Sequence, residues 1–233
     1  MFPGNKLKAV TFSFDDAVTQ DQRLIEIFNK YNLKCTFNIN FGNLGRADSL
    51  IREGVTVAHV KPQAYEVENI YKGHEVAGHT LTHPSLNKLN DEDIIREVEQ
   101  DRLMLSKLVG YEVVGMAYPN GTSAYEERVG RLIKEHTGIK YARLTTSTFN
   151  FEPQTDLIEF QPTVYFHKET EKAFELAEKF INLTPEKEQI FYIWAHAYEF
   201  DIHNTWAEFE RFCALISNKP DIFYGTNKEV LLK

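Results

Sequence analysis

At 233 residues, 42% hydrophobic and 13% aromatic, the chain is long enough for one substantial core or two small ones, and its 17 Phe and 11 Tyr point to a well-filled interior. A net charge of −8 argues against a nucleic-acid partner and against a polybasic membrane patch, since both need clustered Lys and Arg. No run has the apolar length of a membrane span, and the two cysteines, Cys35 and Cys213, read as buried small hydrophobes rather than as a disulfide framework.

In chain order, Met1–Lys6 lacks the apolar core of a signal peptide, so the expected location is cytoplasmic, the alternative being a secreted protein whose leader has been removed. The first apolar run, Lys8–Phe14, reads as a strand rich in β-branched and aromatic residues and leads into Asp15-Asp16. Leu24, Phe28 and Tyr31 then share a helical face. Lys34–Asn40 is the second strand. Residues 41–60 are the least regular part and are expected as a long loop that shapes a groove together with residues 145–156. Glu75–His79 is the third strand, followed by a helix with Ile94, Val98, Leu105 and Leu108 on one face and a stop at Gly110. Val113–Tyr118 is the fourth strand, and Val129, Leu132, Ile133 and His136 mark a helix that stops at Gly138. Lys140–Arg143, a weaker segment at Phe160–Phe166, Gln189–His196 and Asp221–Tyr224 complete the strands, with a helical face of Trp206, Phe209, Cys213 and Ile216 between the last two.

Repeated strand–helix alternation implies parallel strands covered by helices. About seven or eight such units in this length suit an α/β barrel, closed or nearly so. An open doubly wound sheet is the competitor, but no Gly-rich phosphate loop follows the first strand. With no linker, repeat or low-complexity tract, residues 1–233 are expected to form a single domain.

In such a barrel, functional groups gather at the carboxyl ends of the strands. Asp15-Asp16, His79 with His83 just beyond, Tyr118-Pro119-Asn120, Arg143 and His196 all fall there. Adjacent residues on an extended chain point opposite ways, so Asp15 and Asp16 can serve different partners in one site. His79 and His83 have a spacing that on a helix would bind one metal, but Pro84 disfavours helix at His83 and favours a loop folding back over the strand end. Two His and one carboxylate leave coordination positions open, as in zinc-assisted hydrolysis or in non-haem iron oxygenases; the latter usually occupy a different scaffold. A hydrolase also needs a base and an acid, and Asp15 and His196 suit those roles. The plainer readings are a turn or helix cap for the acids, surface imidazoles for the His pair, and a hydrogen-bonded core residue for His196.

Thr11-Phe12-Ser13-Phe14-Asp15-Asp16 resembles the Thr-Phe-Asp-Asp motif of the polysaccharide deacetylases, carbohydrate esterase family 4. Residues Gly73 to Pro84, ending Gly78-His79-Thr80-Leu81-Thr82-His83-Pro84, closely resemble the second motif of that family. Met116-Ala117-Tyr118-Pro119-Asn120-Gly121 is similar to the third and Trp194-Ala195-His196 to the last. The resemblance runs from about Lys8 to Tyr224. It implies a distorted (β/α) barrel of about seven to eight parallel strands, a carbohydrate substrate, and hydrolysis of its N-acetyl or, less often, O-acetyl groups. It also implies one divalent metal, zinc first, with cobalt, nickel or manganese as alternatives. It makes Asp16, His79 and His83 the metal ligands, Asp15 the base and His196 the acid. In the third motif, Tyr118 and the Asn120 N–H are expected at the substrate, the latter on the oxyanion because Pro119 has no N–H.

The third motif departs from the family pattern. Its usual Arg, which orients the base, is Ala117 here, and its aromatic is Asn120. Arg143 at the next strand end is the expected replacement, the alternative being an ordinary surface ion pair. The Asp-Trp element that tunes the acid His is not visible, and Glu199 and Asp201 are the nearby candidates. Two rival functions share the scaffold: a hydrolase of non-sugar amides or cyclic C–N bonds, and a catalytically silent carbohydrate-binding protein. The sequence leaves the oligomeric state open.

Overall fold

A computed structural model describes residues 1–233. Its centre is β1 (Lys8–Asp15), buried at every position, as a strand flanked on both faces must be. Along its full length β1 pairs in parallel with β9 (Gln189–His196), and its carboxyl half pairs with β2 (Cys35–Ile39). β5 (Glu75–Gly78), β6 (Gly115–Ala117) and β7 (Tyr141–Arg143) extend the sheet beyond β2, and β8 (Val164–Tyr165) lies beyond β9. The amino half of β1 also takes β10 (Ile222–Tyr224). Every pairing in this sheet is parallel.

The sheet curls until residues 160–165 reach both of its edges. Phe160 N–H donates to Ala142 O (3.1 Å) on β7, whereas Thr163 N–H donates to Tyr192 O (2.9 Å) on β9. The result is the expected distorted (β/α) barrel. Helices α1 (Asp21–Lys30), α3 (Asp91–Val109), α4 (Glu127–His136), α5 (Thr170–Asn182) and α7 (Trp206–Ile216) cover it, with short helices α2 (Val67–Ile70), α6 (Glu199–His203) and α8 (Asn227–Leu231) between. The expected faces of α1 and α7 meet over β1 in an aromatic cluster: Phe12 lies 4.9 Å from Phe28, and Phe28 lies 5.8 Å from Phe209 in edge-to-face contact. Both cysteines are free and buried. No helix is long and apolar enough to cross a membrane.

Several elements depart from the sequence reading, the short helices α2, α6 and α8 among them. Residues 41–60 are not a plain loop. They hold an antiparallel hairpin, β3 (Ser49–Arg52) and β4 (Val55–Ala58), turned at Glu53-Gly54 with both φ positive, the geometry that two-residue hairpins favour. The hairpin's strands are only 4 residues each and only Val57 is buried, so the brief Val55–Val57 alternation is too short to announce a strand. Helix α5 was not anticipated; it buries Ala173, Leu176, Ala177 and Phe180, a face built half from alanine. Gly138 does not terminate α4, which ends at His136 with Thr137 as cap. A Cβ on Gly138 would lie 2.4 Å from the Arg102 guanidinium, so a larger residue there would have to displace that side chain. Gly110 does cap α3, with φ +73° and its N–H donating to Ser106 O.

Candidate active site

The β1 register sets the first row of the site. Asp15 lies level with Asn38 of β2 and with His196 of β9, so three polar residues share the carboxyl end of the barrel. Asn38 Nδ2 donates to Asp15 Oδ1 at 2.8 Å, and the Arg143 guanidinium donates to both Asp15 oxygens. Arg143 and Asp15 are 0% and 3% exposed, so this is no surface ion pair. Arg143 is paired in register with Ala117 across β6 and β7, so the positive charge sits one strand over from the family position at the same height. Its guanidinium carbon stacks 4.5 Å from the Trp194 ring centroid, which holds it in place. Burial pushes the Asp15 pKa up, but Arg143 and the His79 and His196 rings outweigh it and hold the carboxyl below its ordinary value.

Past the strand the chain turns sharply, with Asp16 at φ +83° and Ala17 at φ +50°, a conformation non-glycine residues rarely adopt. The segment after the hairpin stabilises it: Thr19 N–H donates to Val60 O at 2.9 Å and Lys61 Nζ donates to the Asp16 carbonyl. The turn aims Asp16 Oδ1 at His79 Nε2 (3.9 Å) and His83 Nε2 (3.7 Å), while Oδ2 faces His59 Nε2 at 3.5 Å. Burial works to raise the Asp16 pKa, but His59 and Lys61 lead the opposing groups and leave it well below the usual carboxylate range. His59 and Lys61 escaped the sequence reading because they lie in the irregular segment and match no motif.

His79 Nδ1 contacts Ala117 O at 2.8 Å, which orients the ring and leaves Nε2 for Asp16 and its surroundings. Burial lowers the His79 pKa to about 4, so the ring is neutral at pH 7, the form in which an imidazole can bind a metal. The chain from His79 to His83 is a tight loop, as Pro84 implied, with Thr80 and His83 both at positive φ. Helix α3 fixes it from outside: Thr82 N–H donates to Glu97 Oε2 (2.8 Å) and His79 N–H to Asp101 Oδ2 (3.0 Å). One donor atom each from Asp16, His79 and His83 lies within 4.8 Å of the others, a carboxylate–His–His set that fits a divalent cation.

His196 lies across the row from Asp15, and its Nδ1 is 3.2 Å from Oε2 of Glu199, bent away from a straight hydrogen bond. Burial would lower its pKa, but Glu199 leads the groups that raise it, and the net shift is upward. Glu199 is itself driven down to about 2: burial opposes this, and His196 outweighs the burial. Of the two acids considered from sequence, Asp201 instead accepts from Trp206 Nε1 at 2.7 Å.

Asp15, Asp16, His79, His83 and His196 border one cleft of about 560 Å³, with Asn120 and Thr145 on its wall. Asn120 sits at φ +59°, its side chain donates to Ser85 Oγ (3.0 Å), and its own N–H has no partner within the protein. Tyr118 reaches the cleft only with its flank, because its hydroxyl donates to Ile158 O at 3.0 Å. Arg143 stands behind Asp15 rather than on the cleft surface.

A search of curated protein sequences returned no match. Among solved structures, the chain is similar to the Streptococcus pyogenes deacetylase PplD in complex with acetate, at 19% identity and a TM-score of 0.53, over 64% of this chain and 61% of that one. It therefore spans less than two thirds of the streptococcal protein. It is also similar to the family 4 carbohydrate esterase from Streptomyces lividans in complex with acetate, at 15% identity and a TM-score of 0.57, covering 95% and 92% of the two chains. A third likeness is to BA3943, a CE4 family pseudoenzyme from Bacillus anthracis, at 16% identity and a TM-score of 0.56, covering 97% and 66%. At these identities the likeness establishes the fold. The family model for polysaccharide deacetylase matches residues 4–142, more than half of the chain and the part that supplies Asp15, Asp16, His79 and His83, and the chain belongs to the polysaccharide deacetylase family.

Proposed function

We propose that the protein is a metal-dependent hydrolase, its residues 1–233 a single catalytic domain, that removes N-acetyl or O-acetyl groups from a sugar or polysaccharide. The observation that carries this reading is the Asp16–His79–His83 cluster in the same cleft as an Arg143-paired Asp15 and a Glu199-paired His196. A divalent cation held by Asp16, His79 and His83, zinc by preference, would supply Lewis-acid chemistry, acidifying water and polarising the acetyl carbonyl. Asp15, kept ionised and oriented by Arg143 and Asn38, takes the proton of the attacking water. The Asn120 N–H donates to the oxyanion as charge moves onto the former carbonyl oxygen. His196, whose protonated form Glu199 favours, gives its proton to the departing amine, and acetate and an amino sugar leave.

The test is acetate release from N-acetylglucosamine oligomers, before and after chelation and metal restoration. Activity that depends on metal and is lost in His79→Ala supports the reading. Turnover unaffected by chelation, or full activity in His79→Ala, overturns it. The existence of a pseudoenzyme with this fold gives weight to a silent carbohydrate-binding protein, but Asp15, Asp16, His79, His83 and His196 together argue against it. Tight glycan binding without turnover is the result that reading requires. Hydrolysis confined to non-sugar amides or cyclic C–N bonds in a substrate panel would move the substrate class while keeping the site.

A further inference from the structure

Four aromatic side chains border the cleft, and all are buried: Tyr118 and Tyr198 are 1% exposed, Trp194 5% and Tyr165 9%. None presents an open ring face on which a neutral sugar could stack. What the cleft exposes instead is positive charge. Arg52, the last residue of β3, and Lys168, in the turn between β8 and α5, are exposed side chains on its border. The same two residues border a second cavity of about 230 Å³, so they stand where the two hollows meet. Each is braced over a ring: the Arg52 guanidinium carbon lies 5.5 Å from the Tyr198 centroid and Lys168 Nζ lies 5.7 Å from that of Tyr165.

Most of the acids nearby are already engaged; Glu53, beside Arg52 on the border of the second cavity, is exposed and has only His203 Nδ1 at 3.8 Å. Asp15 is matched by Arg143, and Asp16 faces the histidines. Glu169 accepts from Ser147 Oγ and from the Tyr165 N–H (3.0 Å). Glu199 accepts from the Tyr165 hydroxyl and the His196 N–H, and its 3.4 Å contact with Arg52 is the one ion pair that either cation makes. Two braced cations on the border of the cleft, one with no carboxylate partner, are a receptor for negative charge.

We propose that the substrate is an acylated sugar bearing an anionic group, a carboxylate or a phosphate, and that Arg52 and Lys168 bind this group while the acetyl group lies against Asp15 and the Asp16–His79–His83 cluster. This rests on the deacetylase reading of the cleft. Because both cations are exposed, the attraction is screened by salt and acts mainly on binding, hence on KM.

The experiment compares three forms of one sugar: N-acetylglucosamine, its 6-phosphate, and the form with a carboxylate at C6. At low salt, kcat/KM for at least one acidic form exceeds that for the neutral form by about fivefold or more, through KM. The ratio shrinks at about 0.5 M salt, falls toward one in Lys168→Gln and Arg52→Gln, and is retained in Lys168→Arg. Which acidic form is preferred identifies the group. Equal kcat/KM for all three, or a preference that survives the double Gln variant, overturns the inference. Equilibrium binding of the same sugars separates it from its parent. Tighter binding of an acidic form without acetate release defeats the hydrolase reading and sustains the anion site, whereas equal binding defeats the anion site whatever the turnover.

Discussion

Arg143 reaches Asp15 from the strand next to the one that carries the motif, and at the residue scale that displacement governs how the site responds to mutation. Both partners are buried, so removing one leaves the other as an uncompensated charge. Arg143→Ala should destabilise the fold by about 3–5 kcal/mol in urea unfolding and lower kcat/KM by about a hundredfold through a misplaced base. Arg143→Lys keeps the charge without the two-oxygen grip and should fall between. Unchanged turnover in Arg143→Ala would remove this residue from the mechanism. The Asp15 pKa is depressed, so its stabilising contribution is present above the ordinary carboxylate value and fades as pH falls through the folded value. His196 has the opposite sign. Its pKa is raised, so the proton-donating form persists above the ordinary histidine value and is lost as pH rises through the folded one. Glu199→Gln removes the leading cause, and the alkaline limb of the kcat/KM profile should move to lower pH while the acid limb stays. A limb that does not move would show that Glu199 does not tune the donor.

At the scale of elements, helix α3 acts as a splint for the histidine loop. Glu97 holds Thr82 through both its N–H and its hydroxyl, and Asp101 joins His79 N–H to Phe41 N–H, so the loop between the two histidines is fixed from the outside of the barrel. Residues behind metal ligands typically contribute a factor of about 10–100 in affinity. Glu97→Ala should therefore weaken zinc binding in a chelator-competition titration by about tenfold, while far-UV circular dichroism stays that of the parent. Parent-like affinity would mean that the loop holds its shape without the helix. The strands of the main sheet and helices α1, α3, α4 and α7 were legible because they bury periodic apolar faces, such as Phe12 and Phe14 on β1, Leu24 and Phe28 on α1, and Phe209 and Cys213 on α7; α2, α6 and α8 are too short to show a period. The β3–β4 hairpin was not legible, because its 4-residue strands bury only Val57 and the alternation of Val55 with Val57 is too short to stand out. Helix α5 was missed for a related reason, since two of its four buried positions are alanines.

For the molecule as a whole, parallel alternation brings every strand's carboxyl end to one rim, which is why residues as distant in sequence as Asp15, His79, Arg143 and His196 could be assigned to one site before any contact was known. The family, the barrel, and the gathering of Asp15, Asp16, His79, His83 and His196 on one cleft were readable from local sequence, because strand periodicity and motif spacing are local properties of the chain. What the tertiary structure decided depends on register and on curl. The Arg143 guanidinium meets Asp15 only because β7 pairs with β6 so that Arg143 lies level with Ala117. Glu199 rather than Asp201 faces His196 because the turn after β9 enters α6 at that residue and sends Asp201 toward Trp206. His59, Lys61 and Arg52 reach the site because the hairpin folds back beside Asp16, and no short-range pattern encodes that approach. The sequence determined which chemical groups the rim carries; the packing of strands and of the hairpin against them determined which group holds which, since charge pairing in a buried site depends on distances of a few ångströms that spacing along the chain does not specify.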